Sequence, residues 1–200
     1  ELKNKIVNKK NTTSKKYKQE FNNRRILKNL KRGKILSIVL LVLNIILILV
    51  DIFLFRNLWA KVEAYRKLFQ IHIYFLFVQF IYFSLYYFRK LIKKKDKKVM
   101  YSRFINYFLY ISTVTWCVLL SLNAQLIHKQ ISAYIICIFC IASIMTLKPW
   151  ESLILFGSSF ILLCSGLFVV SDNTAYLGGS LINLVFVFVL ALSVSHLNYS

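Results

Sequence analysis

Few side chains in this sequence could do chemistry, and most of them interrupt apolar runs. Asp51 and His72 are a carboxylate and an imidazole, each set among Ile, Leu, Phe and Tyr. If adjacent antiparallel helices bring them to one depth, they pair. The carboxylate then favours the charged ring and burial opposes it. Such a pair serves as a plain hydrogen bond between helices, its commoner role, or as a pH-responsive element. Cys137 and Cys140 form a CxxC, a spacing known from metal and redox sites. No second Cys/His pair accompanies it, so within an apolar helix these thiols read as small apolar side chains.

A further group surrounds the stretch SLNAQLIHKQISAY, residues 121–134. Gln125, Gln130 and Tyr134 lie there, Trp116 precedes them, and Asp172 and Asn183 come later. With Asp51 and His72 they make eight candidate ligand-binding residues, expected to line a shallow polar rim at one end of a helix bundle. Nothing points to catalysis. HExxH, GxSxG and Walker-type glycine loops are missing, and only Asp51 of the seven acids falls clearly inside an apolar run. The expectation is therefore a chain of 200 residues that is not itself an enzyme, with no catalytic residue, metal or cofactor.

The elements that must position these groups are apolar blocks. The chain is 58% hydrophobic with mean hydropathy +0.60, and the blocks approach the roughly 20 residues needed to cross ~30 Å of hydrocarbon as helix. Six spans are predicted, at 35–55, 69–90, 104–122, 131–147, 152–171 and 176–196. The fold class is an all-α membrane protein, a six-helix bundle preceded by a basic juxtamembrane segment at 1–34. A net charge of +20 raises the thought of nucleic acid, but the cations sit between and before the apolar blocks, so that partner is not expected.

Those cations orient the bundle. Residues 1–34 carry thirteen Lys and Arg, and the segment RKLIKKKDKKVMYSR after the second span carries eight. Over all connections the two sides hold 22 and 5, which predicts both termini in the cytoplasm. Asp51, His72 and the 121–134 stretch then face the exterior, while Asn44, Gln79 and Ser84 read as scattered single polar residues. The basic segment is expected either to lie on the anionic inner leaflet through Phe21, Ile26, Leu27 and Leu30, or to be a partly disordered topogenic tail. One proline and five glycines, with abundant Ile, Leu, Lys, Phe and Tyr, are the bias of an AT-rich bacterial genome. A start at Glu1 and an apolar C-terminal end suggest a segment of a longer protein.

The runs QLIHKQISAYIICIFCIAS, LKPWESLILF and INLVFVFVLALSVSHLNYS resemble the N-terminal six-span domain of clostridial GGDEF diguanylate cyclases. The matching positions are Gln125, Gln130, Ile131, Ala133, Tyr134, Asn183, Ser195 and Tyr199. His128 departs from that pattern, which expects a small or polar residue there. The resemblance implies a sensory input domain that binds an extracellular or membrane small ligand. Its last helix would control a cytoplasmic GGDEF domain not contained in this chain, with a homodimer formed through that output domain. Three other readings compete: an input domain joined to a histidine kinase, a substrate-binding subunit of an energy-coupling-factor importer, and a structural anchor. Residues 35–55 contain no alanine, which disfavours the importer subunit.

Overall fold

The computed structural model describes the backbone of residues 2–171 and 174–200 and the side chains of residues 17–171 and 176–200. Six α-helices follow one another: α1 Leu2–Val50, α2 Glu63–Phe88, α3 Lys95–Ile127, α4 Ser132–Ile144, α5 Pro149–Val170 and α6 Thr174–Tyr199. No strand occurs among the described residues. The helices run uninterrupted because the chain has a single proline, Pro149, placed at the first turn of α5, where a missing N–H removes no helical bond. Polar ends punctuate the rest. Val62 and Lys94 are extended ahead of α2 and α3, and Lys129 takes a left-handed φ of 58° that ends α3.

Five of the helices are long and apolar enough to cross a membrane, which makes this a multi-pass membrane protein by length and composition. The block predicted as a fourth span over 131–147 forms a helix of only 13 residues. At 1.5 Å per residue α4 reaches about 20 Å, short of ~30 Å of hydrocarbon. Its early end has a local cause. Pro149 disfavours helical geometry in the residue before it, and Lys148 and Met145 are both extended.

The non-helical run that results is buried rather than lipid-exposed, and α1 satisfies its backbone. Thr146 N–H donates to Asn29 Oδ1 (3.0 Å), and Thr146 C=O accepts from Asn29 (2.9 Å) and Arg25 (3.0 Å). Arg32 donates to the Ile144 carbonyl at 2.8 Å. Irregular backbone at this depth is tolerated only when protein supplies such partners.

Helix α3 is the centre of the bundle: 61% of its most apolar window is buried, against 17–28% for the other long helices. Ile105, Leu109, Val114, Cys117 and Val118 are its core face. Two glycines let neighbours approach closely. A Cβ at Gly33 of α1 would lie 2.9 Å from Leu109, and one at Gly166 of α5 would lie 2.6 Å from both Leu122 methyls. Trp59 and Trp150 mark opposite ends of the bundle, where amphipathic indoles sit at membrane interfaces.

The basic segment continues into the first span as one helix, without a break at 34/35. Ile26 and Leu30 do not face outward, as the leaflet reading supposed; both are buried against the bundle, where Asn106 donates to the Ile26 carbonyl at 3.0 Å. Burial there removes apolar surface from water. The guanidinium of Arg25 lies 5.9 Å over the Tyr199 ring, so α1 meets the last turn of α6 there.

Candidate functional site

Asp51 and His72 do meet. His72 Nδ1 lies 2.6 Å from Asp51 Oδ2, and both residues are almost wholly buried, at 3% and 1% exposure. With the carboxylate ionised, the ring donates through Nδ1. Asp51 opens a π-helical turn, Asp51–Phe55, that continues α1; such turns re-aim side chains and recur at functional positions. Around the pair, Asn44 donates to the His72 carbonyl at 2.9 Å, and the His72 ring lies 6.3 Å from that of Trp116. Trp116 in turn stacks on Phe75 at 4.0 Å with the rings nearly parallel.

This pair is the end of a longer ladder. Ser37, Asn44 and Asp51 stand seven residues apart on one face of α1, all buried, opposite Gln79 and His72 of α2. Ser37 donates to Gln79 Oε1, so Asn44 and Gln79 are not scattered single groups but members of one polar seam. The expectation that polar groups gather at one end of the bundle is corrected accordingly. The seam runs through the depth of the helices, and within it Gln79 Nε2 and Asn44 Oδ1 are buried without a partner among the described residues.

The other predicted residues do not join this cluster. Tyr134 is buried and its hydroxyl meets Ser159 of α5 at 2.9 Å, while its N–H donates to Ser121. Gln125 is buried too and donates to Ser180 of α6 at 3.4 Å. These two are struts between helices, not a lining. Gln130 and Asn183 are exposed, and Asp172 lies outside the described residues. A groove of about 350 Å³ does open near the Asp51 end of the bundle. It is walled by Gln70, Tyr74, Leu119 and Asn123 among others, and by none of the seven candidates that fall among the described residues. The single shallow rim expected from sequence is therefore replaced by separate features.

One of the eight lines a different cavity. Between α1, α3 and α4 is an apolar space of about 340 Å³, with Leu40, Leu43 and Leu47 on one wall and Ala133, Ile136 and Cys137 on another. Its third wall carries Thr113 and Trp116. Both are buried, and Trp116 Nε1 and Thr113 Oγ1 have no hydrogen-bond partner. Unpaired buried donors are costly, and a ligand able to accept a hydrogen bond relieves that cost. Exposed Val39, Leu43 and Ile136 at the edge of this cavity show that it opens sideways toward the lipid. Cys117, Cys137 and Cys140 also line it, and all four cysteines of the chain are free. Among the described residues no group of His, Cys, Asp and Glu could hold a metal ion.

At the opposite end of the ladder a second polar knot ties three helices. Arg25 makes two contacts to Glu151, at 2.6 and 3.0 Å, with both side chains under 10% exposed. Tyr107 of α3 donates to the same carboxylate at 2.9 Å, and so does the Lys148 backbone N–H. A bidentate guanidinium–carboxylate pair with every acceptor filled is the arrangement in which a buried ion pair holds. Phe21 packs edge-on against Tyr199 at 6.2 Å, and Asn198 donates to the Ala142 carbonyl at 2.9 Å. The last turn of α6 is thereby fastened to α1 and α4.

Neither a family model, nor a curated protein, nor a solved structure matches the chain.

Proposed function

We propose that this chain is the membrane-embedded sensory input domain of a bacterial signalling protein, reporting through α6 to an output domain beyond Ser200. The observation that carries the reading is Trp116. It is shared between the apolar cavity and the buried Asp51–His72 pair. A ligand in that cavity presses on the ring that packs beside the head of the α1–α2 ladder. At the far end of the same helix, Arg25 and Phe21 hold Tyr199 in the last turn of α6. One helix thus touches both the cavity and the exit. A ligand that prefers one packing of α1 shifts the population of α6 positions by the difference in its affinity for the two packings.

The chemistry of the cavity favours a small, largely apolar molecule that carries one hydrogen-bond acceptor and enters from the membrane. In the same reading the chain makes six crossings, α4 included, with both termini cytoplasmic. The charge asymmetry of 22 against 5 and the meeting of Arg25 with Tyr199 at one end support that orientation. Exposed Lys18, Lys28 and Lys31 then face the anionic inner leaflet. The output class suggested by the resemblance is a GGDEF diguanylate cyclase, working as a dimer.

The test uses the longer gene product in native membranes. Trp116→Ala and His72→Ala should each change cyclic di-GMP output at least several-fold while membrane insertion stays intact. Wild-type output from both inserted variants would end this reading, and an open reading frame that stops at Ser200 would end it sooner.

A further inference from the structure

We propose that α6 is a self-association surface, along which a second copy of this chain packs in parallel about a twofold axis normal to the membrane. The inference stands apart from the sensory reading and does not depend on it.

Helix α6 lies at the edge of the bundle. Ser180, Leu184, Val187, Ala191 and Ser195 form the stripe it buries against α4 and α5. A second face of α6, about 120° round the helix from that stripe at 3.6 residues per turn, is exposed along its length. On that face Gly179, Asn183, Phe186, Leu190, Ser193 and Leu197 alternate in steps of four and three residues. This is the seam spacing of two helices wound around each other at a shallow left-handed angle. A face meant only for acyl chains has no need of an amide.

Asn183 decides the matter. It lies nine residues into α6, about 14 Å from the helix start at 1.5 Å per residue, in the apolar middle of the span. The carboxamides of the polar seam, Asn44 and Gln79, are both buried inside the bundle. Asn183 is exposed and forms no hydrogen bond among the described residues. The exposed serines nearby do not share its problem, since Ser193 donates to the Val189 carbonyl at 2.9 Å and Ser165 to that of Leu162. Acyl chains offer an amide nothing.

A carboxamide carries both a donor and an acceptor, so it is complementary to itself across a twofold axis. A second Asn183 satisfies the first, and a single polar residue in a heptad seam also fixes register and parallel orientation. Gly179, one turn earlier, leaves room for close approach, since nothing lies within 4 Å of where its Cβ would stand. Val185 and Val189, on the side of α6 turned directly away from the buried stripe, are apolar and remain with lipid.

Two measurements on the chain in phospholipid vesicles test this. In the first, single cysteines at 185, 186, 189 and 190 are oxidised in a background that keeps Asn183 and has the four native cysteines changed to Ala. Disulfide-linked dimers should peak at 186 and 190 and be weak at the equally exposed 185 and 189. Equal cross-linking at all four positions, or none, would overturn the proposal and leave lipid as the occupant. In the second, which keeps the native cysteines, donor and acceptor fluorophores fused after Ser200 report association as lipid dilutes the protein. Asn183→Val should weaken association about 5- to 30-fold, the usual worth of an interhelical polar contact in lipid, and Asn183→Gln should largely preserve it. Association unchanged by Asn183→Val would refute the seam.

Discussion

At the scale of single residues, the difference between a buried charge with partners and one without governs what a substitution does. Glu151 accepts from Arg25, Tyr107 and the Lys148 backbone, so its carboxylate is fully answered inside the bundle. Glu151→Leu strands the Arg25 guanidinium in a low-dielectric interior and should cost about 3–5 kcal/mol of stability. Arg25→Met combined with Glu151→Leu removes both charges and should recover much of that loss. Thermal unfolding of purified protein in detergent micelles checks it, and a double variant no better than the single one would contradict it. Neither residue was legible as a pair in the sequence, because they stand 126 positions apart and each sits at the head of a connection that reads as ordinary topogenic charge. Asp51 and His72 were legible, since two ionisable groups in apolar runs have few partners to choose from.

At the scale of elements, the helices were readable and their contacts were not. Hydrophobic length reports that a block becomes a helix in lipid, since the backbone has no other solvent for its amides there. It says nothing of which face turns inward, because lipid and protein interior are equally apolar. That is why Asn44 and Asp51 were read apart although they stand seven residues apart on one face with Ser37, and why Gln125, Tyr134 and Asn183 were grouped although they face three different surroundings. Block 131–147 was read as a span by counting apolar residues, and its helix stops at Ile144, with Met145 and Lys148 extended ahead of Pro149. Close approach is a property of pairs of elements in the same way. Gly166→Leu drives a side chain into Leu122, which fills the space of the missing Cβ, and should force α3 and α5 apart. The same change at Gly157, which has nothing within 4 Å, should leave unfolding temperature nearly unchanged. Equal effects at the two glycines would mean that the α3–α5 contact is not tight.

At the scale of the whole molecule, the two ends differ in kind. One end holds the π-helical turn and the Asp51–His72 pair, the cavity lies along α1 between Leu36 and Leu47, and the other end holds the ionic knot with the last turn of α6 beside it. Cysteines introduced at Lys18 and at Ser200 should both resist a membrane-impermeant thiol reagent added to intact cells, and both should react once the cells are opened. Labelling of either site from the medium would reverse the orientation of the bundle. The buried turn Met145–Leu147 has its own implication for how the protein is made. The segment is too short on one side and too irregular at its end to be released into lipid alone, and the groups that complete its backbone bonding belong to a helix synthesised more than a hundred residues earlier. The ribosome must therefore deliver α4 and α5 to a first helix that is already waiting, so that biogenesis depends on an early segment acting as a docking guide for a late hairpin.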